Sequence, residues 1–458
     1  MMMIALPLAI LWIGGVLMAV MDGTRKPVGY LAIGILAAAT TSVAVLGYNV
    51  YQDGPKEMAV AGWQPGVGIA LRIDLLGVTF AVLSLLVLMT ALLFEVSRDV
   101  KARIFPALVI FMGLGLTGLF FTGDAFNFYV FFEISMVSAY VMASYGETPR
   151  QLRAAMIFIV VNLLGSVLFL IAIASSYHNT GWLDMDLISL RTPLIHENPA
   201  ILTATLIFVA FSIKLGLFPF HFWLPAVYTG TRPAVAAILS AGLANIGSYG
   251  LLRFGADIFS RELHEGAFVI ITLGSLSILY GGVQAIARHS PAEVLAYSSI
   301  GQVGYILIAL GIGGEVGYRA AVIYAVVNAL NKLLLFLSAS LRGWIAGAAF
   351  AVGAFSVAGV PPTGGFFGKM SVFQAGLADD RPWLVLVVFL GGALSFVYMF
   401  QTYGARFWVN EPADEATTKV ALGLVSVVAV VIVVIGVFPE PLLRLTEQAV
   451  QMLPERAP

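Results

Sequence analysis

Apolar residues along this chain come in blocks of about twenty, a length matched to the hydrocarbon core of a bilayer rather than to a half-wet helix or strand. Fourteen blocks fall at 3–20, 28–50, 73–95, 105–122, 125–144, 154–176, 200–224, 233–252, 266–287, 292–312, 318–340, 344–378, 383–407 and 420–440. Each reads as a membrane-spanning helix, with the short polar stretches between them as loops. Two blocks are interrupted, 200–224 by FPFHFWLP and 344–378 by AGVPPTGGFFGK. Proline removes a backbone donor and glycine loosens a helix. Both blocks are therefore expected to be broken helices, tolerated in a bilayer only where protein surrounds them. The predicted fold class is an all-α polytopic membrane protein of about fourteen helices, two of them discontinuous. The opening MMMIALPLAILWIGGVLMAV lacks a basic leading segment and a clear small-residue cleavage site, and reads as a retained first helix.

The blocks repeat. RAAMIFIVVN at 153–162 returns as RAAVIYAVVN at 319–328, seven identities in ten, 166 residues further on. The first copy opens the sixth helix and the second opens the eleventh. An offset of five helices makes the copies cross the membrane in opposite directions, so this is an inverted repeat, with one broken helix in each half. The expected division is 1–104 for three N-terminal helices and 105–253 for the first repeat, helices 4–8. Residues 254–407 form the second repeat, helices 9–13, and 408–458 hold helix 14 and the tail. Odd-numbered loops carry about twice the Lys and Arg of even-numbered ones, which hold mainly Lys56, Arg191, Arg253, Arg261, Arg319 and Arg381. The positive-inside rule then places the chain in a cell inner (cytoplasmic) membrane with both termini on the periplasmic or extracellular side.

Composition excludes several classes of function. The chain is 60% hydrophobic and 11% charged, with 24 Lys+Arg against 25 Asp+Glu, which leaves no basic face for nucleic acid. Absence of cysteine rules out disulfides, thiol catalysis and iron–sulfur ligation by this chain. Five scattered histidines form no HxxH or HExxH pair, so neither a metal nor another cofactor is expected.

Four ionisable residues nevertheless lie well inside apolar blocks: Glu133 in FNFYVFFEISMVSAY, Lys214 in FSIKLGLFPFHFWLP, Lys332 in NALNKLLLFL and Lys369 in FFGKMSVF. A charge at the centre of a span costs roughly 2.5–3.5 kcal/mol on insertion scales. Such a residue either snorkels to an interface, pairs structurally, or moves protons. Glu133 and Lys214 lie too deep to snorkel easily. An acid and a lysine in a dry bundle influence each other's proton affinity, so moving Glu133 relative to Lys214 would switch the lysine between ammonium and amine. Lys214 therefore reads as a titrating relay, and the break beside it gives water and backbone groups a place to sit. Polar residues extend the line: Ser240, Asn245 and Ser248 on helix 8; Tyr297, Ser298, Ser299 and Gln302 on helix 10; Asn328, Asn331 and Lys332 on helix 11. His221 and His289, near the ends of spans, either couple this axis to water or are hydrogen-bonded interface residues.

FNFYVFFEI, KLGLFPFHFWLP, PAVAAILSAG, LAYSSIGQVGYIL, NKLLLF and AGVPPTGGFFGK occur in that order. Together they resemble the antiporter-like subunits of respiratory complex I and of the multisubunit Mrp cation/proton antiporters, over about residues 70–410. The D-type Mrp subunit is most similar, with membrane-bound hydrogenase subunits close behind. The resemblance implies fourteen helices with two inverted five-helix repeats. It also implies a proton relay of Glu133, Lys214, Lys332 and Lys369, with His221, Asn245, Ser299 and Gln302 as auxiliary polar residues. Implied partners are the other membrane subunits of an Mrp-like antiporter or respiratory complex, the lipid bilayer, protons and sodium. One departure matters: helix 8 in such subunits usually carries a central lysine where this chain has Asn245. The usual acidic residue after WLP is also replaced, by Ala226.

Three functions remain open at this stage. The first is the proton-translocating subunit of a multisubunit sodium/proton antiporter. A second is a proton-pumping subunit of a complex I-like or hydrogenase assembly, whose redox chemistry other chains would supply. A non-transporting scaffold is the third, favoured only by Asn245. Asp74, Asp124 and Glu95 near span ends do not make a sodium site of several oxygen ligands, so such a site is expected at a subunit interface.

Overall fold

A computed structural model of the chain describes residues 2–63, 68–146, 148–408 and 417–453. Among these residues twelve helices are long and apolar enough to cross a membrane, and two shorter apolar helices, Phe105–Phe121 and Trp344–Ala358, lie in the remaining two of the fourteen apolar blocks. They are α1 (Met2–Val20), α2 (Lys26–Asp53), α3 (Leu75–Arg98), α4 (Phe105–Phe121), α5 (Ala125–Ala143) and α6 (Pro149–Thr180). Next come α7, broken into Glu197–Leu215 and Leu224–Gly230, and α8, continuous from Pro233 to Ile258. α9 (Ala267–Ile286), α10 (Pro291–Ile312) and α11 (Gly314–Ser338) follow. The second broken span, α12, consists of Trp344–Ala358 and Gly364–Ala378; α13 (Pro382–Phe407) and α14 (Lys419–Val437) complete the set. The chain is a multi-pass, all-α membrane protein. The 409–416 loop and the 454–458 tail, which fall in the C-terminal unit of the sequence-based division, lie outside the described residues.

Helix ends are marked by local chemistry. Asp74 caps α3 by accepting from the Gly77 N–H at 2.8 Å, and Asp124 caps α5 by accepting from the Asn127 N–H at 2.6 Å. Thr148 and Gln151 close a reciprocal capping box at the start of α6. Proline opens α6, α8, α10 and α13, where its missing N–H costs nothing.

Burial sorts the spans. α3, α8, α10 and α11 are enclosed along most of their length, whereas α1, α2, α6, α13 and α14 expose most of theirs. Hydrophobicity cannot drive that sorting in lipid; small and polar residues, which let helices approach and hydrogen-bond, decide it. The enclosed α8 and α10 carry ILSAGLANIGSYG and YSSIGQVGY.

Among the described residues, a β-hairpin, the short helices Met185–Arg191 and Ser260–Glu265, and one longer helix fall outside the apolar-block reading. A β-hairpin pairs Lys56–Ala59 antiparallel with Ala70–Ile73 in the loop after α2. The longer helix, α15 (Glu440–Gln451), follows α14 and packs on α11 and α3. α15 alternates charged and apolar residues at helical spacing, so no apolar block announces it.

Candidate functional site: a lysine axis through two broken helices

The first half of α7 ends at Leu215, and Gly216 closes it in the left-handed region with φ 66°. Lys214 thus lies in the last turn of a half-helix, at the negative end of its dipole, inside the protein. The residue is 8% exposed, and its ammonium donates to the Asn162 carbonyl at 2.8 Å and to the Ser166 hydroxyl at 3.1 Å, both on α6. Trp223, beyond the break, donates its indole N–H to the Ile213 carbonyl at 2.9 Å and satisfies an acceptor that the ending helix leaves open.

Glu133 stands half-buried on α5, one residue after Phe132, whose ring faces Lys214. No direct ion pair joins Glu133 to Lys214 in this conformation, and Glu133 Oε1 is buried without a hydrogen-bond partner. A buried, unpartnered carboxylate oxygen is costly in a bundle.

α12 repeats the design. Its first half ends at Ala358, Gly359 closes it at φ 84°, and Lys369 from the second half donates to the Ala358 carbonyl at 3.3 Å. Lys369 therefore addresses the negative end of the first half-helix, whereas the Lys214 ammonium is held by α6. Lys369 is 7% exposed and does not snorkel. Lys332 on α11 is 5% exposed. Asn328 lies one turn before it on the same face, and the side-chain oxygens of Asn328 and Asn331 are buried without partners.

Asn245 sits in the middle of α8 between two widened turns, where Ala244 N–H bonds to Leu239 and Phe259 N–H to Phe254, each five residues back. Such π-type turns recur at functional sites. The Asn245 amide donates to the Ala241 carbonyl at 2.9 Å and across to the Ser84 hydroxyl of α3 at 3.1 Å. A cavity of about 10 Å³, close to the room one water needs, lies between Lys214, Asn162 and the Leu243–Ile246 turn that carries Asn245.

The auxiliary residues divide. Gln302 joins a buried network in which it accepts from the Tyr324 hydroxyl and donates to the hydroxyls of Tyr398 at 3.3 Å and Ser395 at 3.4 Å. Ser298 pairs with Tyr398 at 2.9 Å, whereas Ser299 turns back to the Leu295 carbonyl of its own helix at 2.8 Å. His221 lies in the short turn after the first break, its ring 4.5 Å from that of Tyr280 and its Nδ1 buried without a partner. His289 is exposed in the loop before α10.

Three features went unseen in the sequence. Ser84 reads as one more small residue in LLGVTFAVLSLLVLMT. Arg253, counted above as a loop charge, is instead 2% exposed inside α8, where it pairs with Asp74 and, at 3.2 Å, with Asp257. The correction has a simple cause: α8 extends past the predicted 252 boundary to Ile258. Glu95, at the other end of α3, is bound at 2.6 Å by Arg232, which precedes α8. Antiparallel α3 and α8 are thus clamped at both ends by ion pairs and joined in the middle by Ser84 and Asn245.

Comparison with known proteins follows the same outline. Residues 122–395 match the family model described as NADH:quinone oxidoreductase/Mrp antiporter, transmembrane. The D-type subunit of the Na(+)/H(+) antiporter of Alkalihalophilus pseudofirmus is 28% identical over 452 residues, covering 93% of this chain and 91% of that one. A chain in the structure of the Mrp complex from Dietzia sp. DQ12-45-1b superposes with TM-score 0.89 at 23% identity, covering 99% of this chain and 98% of that chain. A chain of the membrane-bound sulfane sulfur reductase, an archaeal respiratory membrane complex, superposes with TM-score 0.88 at 25% identity, covering 98% and 96% respectively.

Proposed function

Because the chain belongs to the NADH:quinone oxidoreductase/Mrp antiporter family, we propose that it is the proton-translocating subunit of a multisubunit sodium/proton antiporter of the Mrp type. One observation carries the reading. Lys214 is a buried ammonium at the end of a broken helix, held by neutral oxygens rather than by a direct carboxylate. A structural ion pair would be locked to its acid. Lys214 is instead free to give its proton to a water in the adjoining cavity, becoming an amine, and to be recharged when Glu133 approaches. Lys332 and Lys369 play the corresponding parts in the second half, with His221, Asn245, Ser299 and Gln302 as auxiliary polar groups.

The division into 105–253 and 254–407 is supported by the matched breaks of α7 and α12, each closed by a glycine at positive φ. With Arg253 removed from the even-numbered loops, the lysine and arginine asymmetry strengthens. It favours both termini outside the cytoplasm, in the inner membrane of the cell. Partners are other membrane subunits, and sodium is bound where this chain meets one of them. A redox-coupled proton pump is the second reading, favoured by the likeness to a chain of an archaeal respiratory complex. A non-transporting scaffold rests on Asn245 alone.

Everted vesicles containing the whole complex, followed with a pH-sensitive dye, test the proposal. Lys214→Ala should abolish sodium-dependent dissipation of the pH gradient while immunoblots show the complex assembled. Undiminished exchange by that variant would contradict the relay.

A further inference from the structure

We propose that the ring faces of Phe132 and Tyr305 seat the ammonium groups of Lys214 and Lys369 in place of counter-ions, as positioning residues of the relay rather than as packing. The inference rests on the reading of the two lysines given under Proposed function. An ammonium has three N–H donors and no acceptor. Lys214 places two of its donors on Asn162 and Ser166, and its Nζ lies 4.3 Å from the centre of the Phe132 ring. Lys369 places one donor on the Ala358 carbonyl, and its Nζ lies 4.8 Å from the centre of the Tyr305 ring. Both separations fall within the range at which the ring quadrupole attracts a cation, and burial strengthens the attraction.

Two features recur at both breaks: an aromatic face beside the ammonium, and no carboxylate in direct contact with it. Around Lys214, α6 presents neutral oxygens, α8 presents Leu239, Leu243, Ala244 and Ile246, and α5 presents Glu133. Among the described residues the hydrogen-bond acceptors of Lys214 and Lys369 are neutral oxygens. A ring face attracts the ammonium but not the neutral amine, so it can hold the charged state and let go after the proton leaves. A carboxylate would leave its own charge stranded.

Each ring is also braced. Phe132 is 1% exposed and meets Phe169 edge-on at 6.0 Å. Tyr305 is likewise 1% exposed and stacks on Tyr324 at 4.8 Å. Tyr324 is fixed in turn by its hydroxyl on Gln302, and Gln302 by Tyr398 and Ser395. This gives the Gln302 network a purpose: it holds the seat of Lys369. An aromatic stripe with no such role would need only volume, and leucine would serve.

The test replaces each ring, one at a time, in the assembled complex. Phenylalanines with one to three ring fluorines, introduced at position 132 or 305 by nonsense suppression, keep the shape and weaken the quadrupole. Exchange should fall stepwise, by about 2- to 30-fold in total, and Phe132→Leu and Tyr305→Leu should lose at least as much. Phe132→Tyr and Tyr305→Phe, which keep a ring face, should retain exchange. Unchanged exchange across the fluorinated series in assembled complex would overturn the inference. Lys214→Ala separates the two failures: if it is inactive while fluorination is harmless, only the seat is refuted, and if it is active, the relay itself is.

Discussion

Lys214 stays inside the bilayer because a half-helix ends beside it, two oxygens of α6 accept from it, and the region is wrapped by protein on all sides. The same surroundings would suit any cation, so charge alone does not establish a relay. Arginine separates the two roles, since it keeps the charge but hardly releases a proton. Lys214→Arg should leave the complex assembled and abolish exchange in vesicles; near wild-type exchange would leave Lys214 as a structural charge. Glu133→Gln should fail as well, because the amide keeps the shape of the carboxylate and loses the charge that modulates the lysine. Arg253 belongs to a different class. It pairs with Asp74 and Asp257 in a buried site, and Arg253→Leu leaves these carboxylates only the longer ion pairs to Arg72, at 3.9 and 3.8 Å. The expected cost is roughly 3–5 kcal/mol, read as a lowered melting temperature of the purified complex. All four candidate relay residues stood out in the sequence, because an ionisable group in an apolar block is conspicuous. Ser84, Phe132 and Tyr305 were not, since serine and aromatic residues are ordinary in a membrane helix and acquire a role only through what faces them.

At the scale of elements, the breaks of α7 and α12 and the widened turns of α8 carry the design. Proline and glycine announced the breaks. Nothing in ILSAGLANIGSYG announces π-type turns, which depend on how α8 is held against α3 by Asp74–Arg253, Ser84–Asn245 and Glu95–Arg232. Asn245 belongs to the turn of α8 whose Leu243, Ala244 and Ile246 line a cavity together with Lys214. Asn245→Lys should preserve assembly and exchange with an altered pH dependence, whereas Asn245→Leu should stop exchange; full activity of the leucine variant would show that protons do not pass along α8. Gly359 is needed twice over: its φ of 84° disfavours any side chain, and an added Cβ would lie 2.7 Å from Cδ of Lys369. Gly359→Ala should cost roughly 1–3 kcal/mol and displace Lys369, seen as lower thermal stability together with reduced exchange. The hairpin of Lys56–Ala59 with Ala70–Ile73, and the amphipathic α15, escaped the apolar pattern because neither is built to face lipid.

For the whole molecule, twelve spans, two shorter apolar helices and two breaks were legible because a bilayer demands long apolar segments and punishes interrupted ones. Enclosure of α3, α8, α10 and α11 was not, since it is decided by packing among helices that are all apolar. Orientation has its own check: Lys101→Cys should be labelled by an impermeant reagent only from the cytoplasmic side and Gln52→Cys only from the opposite side. The reverse pattern would invert the topology. The central claim, that this chain moves protons for a cation antiporter, is tested most directly by purifying the native complex and reconstituting it in proteoliposomes without any redox substrate. An imposed sodium gradient should then drive proton movement across the membrane, and Lys214→Arg complex should show none. Proton movement that ignores sodium and appears only during redox turnover would contradict the account and place the chain in a respiratory pump.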